Sequence, residues 1–321
     1  MKLIIQIPCF NEQDSLPVTL AALPRDVDGF DQVQWLIIDD GSSDRTVQVA
    51  RESGVDHIVS LPHNQGLAVA FMAGIEASLA YGADVIVNTD ADNQYNAAGI
   101  PQLTKPILNR EADIVIGARP IADTAHFSPV KKALQRLGSW VVRKASGSNV
   151  HDAPSGFRAF SRQAAMQLNV FSSYTYTLET IIQAGQKNMA IVSVPVDTNP
   201  DLRPSRLLKS IGSYVRRSMA TIIRIFVVYK PFQFFMTLGL LLFGSGVLLG
   251  LRFLFFYFTG QGDGHIQSLI LTAVLLGIGF QTMLVAFIAD LLAVNRRLLE
   301  ELQYRSRRID LNRDAAGNAS K

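Results

Sequence analysis

With 321 residues, 48% of them hydrophobic and only 18% charged, the chain is too apolar for a disordered segment or a dedicated nucleic-acid binder, so no nucleic-acid partner is expected. The formal charge of +3 hides an asymmetry: residues 1–200 carry 15 Lys/Arg against 20 Asp/Glu, whereas residues 201–321 carry 15 against 7. The single cysteine, Cys9, excludes a disulfide framework and a cysteine-based zinc cluster, and the five histidines form no ligand-spaced group, so any metal must be held by oxygen.

The first apolar run, Leu3–Ile7, contains Gln6 and reaches Pro8 too early for the apolar core of a signal peptide; it reads as a buried strand. Short apolar runs recur at Trp35–Ile38, His57–Leu61, Val85–Val87 and Ile114–Ile116. Between most of them lie stretches of helical period, Asp44–Glu52, Leu67–Tyr81 and Ile100–Leu108, with another at Tyr176–Ala184. This alternation predicts an α/β domain with a mostly parallel sheet covered on both faces. Ligands bind beyond the carboxyl ends of the strands in such sheets. Those ends carry Pro8-Cys9-Phe10-Asn11-Glu12, Asp39-Asp40-Gly41-Ser42-Ser43-Asp44, Asp90-Ala91-Asp92-Asn93-Gln94 and Gly117-Ala118-Arg119, so four polar ends should converge on one rim.

Residues 207–230 place Leu207, Leu208, Ile211, Val215, Met219, Ile222 and Ile223 on one stripe. That spacing suits amphipathic helices lying at a membrane interface; a helix on the surface of the soluble domain is the alternative. Phe232–Leu251 and Ile266–Ala289 then contain no charged residue, and each is long enough for the ~30 Å hydrocarbon core of a bilayer. The expected organisation is a domain at 1–206, interfacial helices at 207–230, spans at 231–258 and 266–292 joined by a loop at 259–265, and a basic tail at 293–321. The loop has no Lys or Arg, whereas Arg216, Arg217, Arg224 and Lys230 precede the first span and Arg296, Arg297, Arg305, Arg307 and Arg308 follow the second. The positive-inside rule therefore predicts a multi-pass inner-membrane protein whose N-terminal domain and both termini are cytoplasmic. Arg252 and Asp290, near span ends, can snorkel and receive no role.

Each polar cluster has a chemical and an ordinary reading. Asp90 and Asp92, two apart at a strand end with Gln94 beyond, can approach one hard cation shared with a diphosphate, or can simply form a turn. Gly41 to Asp44 accounts for a turn and a helix cap, but two adjacent acids closing a buried strand, Asp39 and Asp40, call for a compensating ligand or cation. Asn11 can cap the first helix, and His151–Arg158 has turn composition. Arg203 and Arg206 suit phosphate recognition or plain positive-inside charge, and Glu179 lies in a helical stretch that can be surface. There is no P-loop, no Gly-x-Gly-x-x-Gly after the first strand and no Gly-x-Ser-x-Gly elbow.

In order, IPCFNE, DDGSSDRT, NQGLAVAFMAG, DADNQ, GAR, DAPSGFRAF and YTLETI resemble the motifs of family 2 glycosyltransferases with the GT-A fold, from residue 4 to about 206. With two C-terminal spans, the chain is similar to the polyprenyl-phosphate glycosyltransferases; the Gln-x-x-Arg-Trp of processive synthases is missing, since neither Trp35 nor Trp140 follows an arginine. The resemblance implies a GT-A, Rossmann-like domain in which Pro8, Phe10, Glu12 and Asp40 hold the nucleoside of a nucleotide-sugar, with Ala91 and Arg119 also on the donor. It implies Mg2+ or Mn2+ on Asp90, Asp92 and Gln94, phosphates near Arg119, Arg203 and Arg206, and an acceptor region at Asp152, Ser155 and Glu179. Phe10 stands where the family has tyrosine, keeping the stacking face without the hydroxyl, and the match around Arg206 lacks a residue and the usual lysine. The implied reaction is an inverting transfer of a hexose, glucose from UDP-glucose favoured, to undecaprenyl phosphate at the cytoplasmic face, with Asp92 and Asp152 as catalytic residues and Asp152 as base if one is used. The product would be a lipid-linked donor for envelope glycan modification. A family member with a sugar or protein acceptor, or an inactive membrane-tethered nucleotide-binding regulator, would be told apart by product solubility and metal dependence; the oligomeric state is left open.

Overall fold

A computed structural model of the chain describes residues 1–119, 140, 142–143, 146–148, 150, 152–170, 176–200, 220, 223–224, 226–260 and 266–319. Seven strands, β1 (Lys2–Cys9), β2 (Gln32–Asp39), β3 (His57–Ser60), β4 (Val85–Asn88), β5 (Ile114–Ala118), β6 (Arg158–Ser161) and β7 (Ile191–Pro195), form one sheet in the order β3-β2-β1-β4-β6-β5-β7. β1 pairs in parallel with β2 and β4, β2 with β3, and β5 with β7. Among the described strands β6 alone runs antiparallel, between β4 and β5. The carboxyl ends of the other six therefore share one edge, and the segment that enters β6 from Asp152 arrives at that same edge. The sheet is mostly parallel, as expected; β6 and β7 were not among the predicted runs, β6 because a charged residue, Arg158, opens its four positions.

The central strands are apolar throughout because both faces are covered. Seven of the eight residues of β1 are buried, and each such Ile or Leu contributes roughly 1.5–3 kcal/mol. Helices α1 (Leu16–Ala22), α2 (Thr46–Glu52), α3 (Leu67–Ala80), α4 (Ile100–Leu108), α5 (Arg162–Gln167) and α6 (Thr177–Gln186) supply the cover. α3 packs on β1 and β2, and α4 on β4, β5 and β6. α3 lies so close that a Cβ on Gly74 would sit 2.6 Å from Gln6 Oε1 and 2.8 Å from Ile38 Cδ1.

The chain divides into two compact units, Met1–Ser218 with Glu300–Lys321, and Met219–Leu299. The second holds α7 (Pro231–Phe258) and the first part of α8 (Ile266–Ala319). Both helices are long and apolar enough to cross a membrane, and only 11% and 17% of their most apolar windows are buried inside the protein. A pair of core helices in a soluble domain would need cover that these lack: Leu241, Leu248 and Phe258 are 65%, 70% and 81% exposed. The two helices approach closely at glycine; a Cβ on Gly279 would lie 2.5 Å from Phe243 N.

α8 runs unbroken beyond 292, so the segment expected as a separate basic tail is helical as far as Ala319. From Glu300 on it belongs to the sheet unit. There Arg307 donates to Leu168 O (2.7 Å) at the end of α5 and to Glu76 Oε1 (2.9 Å) on α3, and Glu300 pairs with Lys187 (3.6 Å). Most of the expected interfacial segment at 207–230 lies outside the described residues; 223–224 and 226–229 are helical.

Candidate active site

The rim at the ends of β1 and β2 is built by loops that hold one another. Asn11 adopts a left-handed conformation, φ 54°. Its N–H donates to Ser42 Oγ and its Oδ1 accepts from Ser43 N, both at 2.9 Å. It is a staple between two loops and not the cap of α1, which is at Ser15. Glu12 N donates to Thr46 Oγ1 (2.9 Å) and Gln13 N to Asp44 Oδ2 (3.2 Å). Asp44 also accepts from Thr46 N (2.9 Å) at the start of α2. Burial pushes the Asp44 carboxyl up, but the hydrogen bonds from Thr46 and Gln13 more than offset it and hold it below the usual carboxylate value.

The buried acids Asp39 and Asp40 both accept hydrogen bonds from backbone amides. Asp39 Oδ1 accepts from Ser42 N (3.0 Å), and the two oxygens of Asp40 accept from Gln65 N (2.7 Å) and Gly66 N (2.9 Å), where α3 begins. Hydrogen bonds from amides at a helix start are a strong form of support for a buried carboxylate's oxygens. Gly41, at φ +69°, permits the tight pass: a Cβ there would meet the His63 backbone at 2.5 Å. Pro8 is buried within β1, past the last pair with β4, and Phe10 projects beyond it with 40% of its surface exposed.

After β4 the chain passes Thr89 to Asp90, Ala91 and Asp92. Ala91 O accepts from Thr19 Oγ1 (2.9 Å). Asp92 Oδ1 accepts from Gln94 N (3.1 Å), closing a turn through Asn93 at φ 55°; the turn reading thus holds for one oxygen. Asp90 keeps part of its surface open yet is closely surrounded. Its oxygens lie 2.9 and 3.0 Å from where a Cβ on Gly156 would sit. Burial, followed by the charge of Asp92, pushes the Asp90 carboxyl up to about 7; Arg119 and Arg158 pull it down, and Glu12 adds to the rise. Burial and then the acids Glu12, Asp39, Asp44 and Asp90 likewise raise the Cys9 thiol; the parallel pairing of β1 with β2 and β4 brings these three strand ends to one edge.

A carboxyl destabilised by its own neighbour is a group that a cation would relieve. Among the described residues no group of three or more His, Cys, Asp and Glu side chains could hold a metal. An ion at Asp90 and Asp92 would need further oxygens, from Gln94 and from a ligand such as a diphosphate. Two carboxylates plus ligand oxygens suit Mg2+ or Mn2+, so the residues present fit.

Across the rim, Asp152 is buried and engaged by Arg119. Arg119 Nε donates to Oδ2 (2.8 Å), Nη2 to Oδ1 (3.1 Å) and the Arg119 backbone N–H to Oδ2 (3.2 Å). Both oxygens of the candidate base are therefore occupied by one guanidinium, and the geometry gives Asp152 the part of an anchor for Arg119. Burial draws the Arg119 value down, but Tyr95, Asp152 and Asp90 more than offset this and hold it above the ordinary arginine value. Ser155 is fully buried in the loop that follows, and Glu179 is buried in the first turn of α6. Arg203 and Arg206 lie outside the described residues.

Four residues of this region were not singled out from the sequence. Tyr95 Oη accepts from Gly156 N (2.9 Å). Asn88 Nδ2 donates to Gly156 O (2.9 Å) and to Tyr176 Oη (2.8 Å), and its Oδ1 accepts from Gln6 Nε2 (2.9 Å). Tyr176 stacks on Phe71, with ring centroids 3.9 Å apart. Arg158 is fully buried. It lies within the DAPSGFRAF stretch, and a charge opening an otherwise apolar strand was the available signal.

The family model described as "Glycosyl transferase family 2" matches residues 4–168. An undecaprenyl-phosphate mannosyltransferase of Micrococcus luteus is 30% identical over 207 residues, covering 61% of this chain and 83% of that protein. A polyprenol monophosphomannose synthase of Mycolicibacterium smegmatis is 26% identical over 228 residues, covering 67% and 83%. Among solved structures, glucosyl-3-phosphoglycerate synthase of Mycobacterium tuberculosis, in complex with Mn2+, UDP-glucose and phosphoglyceric acid, aligns with a TM-score of 0.56 at 22% identity, covering 70% of this chain and 79% of that one. That likeness speaks to the fold.

Proposed function

This chain belongs to glycosyl transferase family 2, and from that premise we propose that it transfers a hexose from a nucleotide-sugar to a polyprenyl phosphate at the cytoplasmic face of the membrane. The observation that carries the reading is the Asp90–Asp92 pair just beyond β4 at the carboxyl edge of the sheet, with the Asp90 carboxylate packed against Gly156. The names of two relatives, with the two apolar helices, support a lipid-phosphate acceptor. Glucose from UDP-glucose is the first donor to test, with undecaprenyl phosphate as acceptor. Mannose from GDP-mannose is a second reading, favoured by those same relatives' names.

In this reading Phe10 offers its exposed ring to the base, and Glu12 and Asp40 accept from base or ribose donors beside Pro8. Arg119, braced by Asp152, sets positive charge against the diphosphate next to Ala91. A divalent cation held by the oxygens of Asp90, Asp92 and Gln94 would stabilise the charge developing on the leaving nucleoside diphosphate. The lipid-phosphate oxygen attacks the sugar C1 as the bond from C1 to the diphosphate oxygen breaks, and the configuration inverts. A phosphate whose second pKa is near 6 is already ionised near neutral pH. The reaction therefore has little need of a base, in keeping with the engagement of Asp152. Ser155, Glu179, Arg203 and Arg206 are assigned to the acceptor side, and the basic flanks of the hairpin add attraction for an anionic membrane surface.

The test incubates membranes containing the protein with labelled UDP-glucose or GDP-mannose and undecaprenyl phosphate, with and without Mg2+, followed by organic extraction. Mg2+-dependent label in an acid-labile lipid supports the proposal and names the donor. Label found only in water-soluble product would overturn the lipid acceptor.

A further inference from the structure

Arg158 opens β6 in the middle of the sheet, opposite Asn88 of β4 and Ile116 of β5. Its side chain is fully buried. Nε donates to Ser155 O (2.7 Å) and Nη2 to Ala153 O (2.6 Å), both in the loop that precedes the strand. Nη1 donates to Thr177 O and to Thr180 Oγ1, each at 2.7 Å, in the first turns of α6. None of the ion pairs among the described residues involves it. Burial lowers its value to about 10, in spite of the tyrosines and acids nearby.

A guanidinium buried among neutral acceptors is an expensive way to fill space, and an apolar side chain of similar volume would often serve stability as well or better. What an apolar side chain cannot do is fix two separate backbone segments in one plane through a rigid fork. The two segments tied here both carry parts of the candidate site. The loop begins at Asp152, which clamps Arg119, and ends at Gly156, against which the Asp90 carboxylate rests. α6 carries Glu179.

We propose that Arg158 is a positioning residue of the transfer reaction: its fork sets the loop from Asp152 to Gly156, which holds Arg119 and borders Asp90, and the first turns of α6, which carry Glu179, in one fixed relation. The proposal rests on the transferase reading for its kinetic consequence and on the geometry alone for the tie itself. A misplacement near 1 Å costs on the order of 10²-fold in rate, and the residue touches no reacting atom, so the expected loss lies in kcat.

The test compares Arg158→Lys, which keeps the charge and loses the fork, and Thr180→Val, which removes a single acceptor, with the wild type in detergent. The readouts are thermal midpoint, amide hydrogen exchange at residues 153–156 and 177–180, and kcat and KM for the nucleotide-sugar. Arg158→Lys should remain folded, exchange at least about tenfold faster in both segments, and lose about 30–100-fold in kcat with donor KM within about twofold. Thr180→Val should show the same pattern at about five- to tenfold. Unchanged exchange with kcat within about threefold, or a loss confined to donor KM, would overturn the proposal. If Arg158→Lys fails to fold, Thr180→Val decides by the same criteria. A wild type that makes no lipid-linked sugar would sink the proposed function while leaving the exchange comparison to support or overturn the tie.

Discussion

The sheet unit buries a minority of polar groups within an apolar core, whereas α7 and the apolar part of α8 turn apolar groups outward. Asn88 and Arg158 are buried in the first unit, and each has hydrogen-bond partners at about 3 Å or less. In the second, leucines and phenylalanines face outward along 28 residues of α7. The difference teaches what each unit treats as solvent. Burying a polar group is tolerable only when it is bonded, and a long apolar face is stable without protein cover only where the surroundings are themselves apolar.

The comparison breaks most completely at the rim. Asp92→Ala should lower kcat by about 10²–10³-fold, the scale expected when a group stabilising charge in the transition state is removed. The thermal midpoint should stay close to that of the wild type, since Asp92 is only half-buried; kinetics alongside a melting curve check this. On the other unit, Leu248→Asp places a charge on an exposed apolar face. It should oppose membrane insertion by roughly 2.5–3.5 kcal/mol, measured as the fraction of protein recovered in carbonate-washed membranes.

Smaller effects sharpen the contrast. Gly156→Ala puts a methyl group 2.9 Å from an Asp90 oxygen and 3.1 Å from Tyr176 Oη. Overpacking of this kind costs about 1–3 kcal/mol, and part of it should appear as weaker Mn2+ binding by titration. Gly279→Ala meets the Phe243 backbone instead. It should lower the thermal stability of the detergent-solubilised protein by a similar about 1–3 kcal/mol without moving Mn2+ affinity.

The pH dependence follows from Asp90, whose carboxyl is pushed up to about 7 by burial and by Asp92. Below that value a proton competes with the cation, so Mn2+ affinity should fall up to about tenfold per pH unit and level off above it. For the metal-free protein the sign is the reverse of a paired carboxylate. The folded state binds the proton more tightly than the unfolded chain, so stability falls as pH rises from about 4 to about 7, and saturating Mn2+ should abolish that slope. Calorimetric titrations and melting curves across pH 5–8 measure both.

Much of the rim at the strand ends was legible because its information is local. Strand-end runs such as Asp39-Asp40-Gly41 and Asp90-Ala91-Asp92 lie within a few residues of one another, and five strands show as apolar runs. The rest depends on contacts between distant segments. The Arg119–Asp152 clamp joins residues 33 apart, Asn88 meets Gly156 across 68, and the tail's Arg307 reaches Glu76 across 231. β7 escaped notice because it is a short, half-buried strand, ending in proline at the edge of the sheet. Arg158 looks like a surface residue until four acceptors from two segments are placed around it. The two apolar helices were readable from length and charge alone, whereas the continuation of α8 into the sheet unit was not, since Glu300 and Arg307 look like ordinary solvated charges.

The most direct test of the central claim is nucleoside diphosphate release by the purified protein from UDP-glucose or GDP-mannose, with and without polyprenyl phosphate. Release that depends on the lipid phosphate, and that is matched by sugar on the lipid, is the result predicted. Release that proceeds equally without the lipid phosphate, or only when a sugar or protein acceptor is supplied, would contradict it.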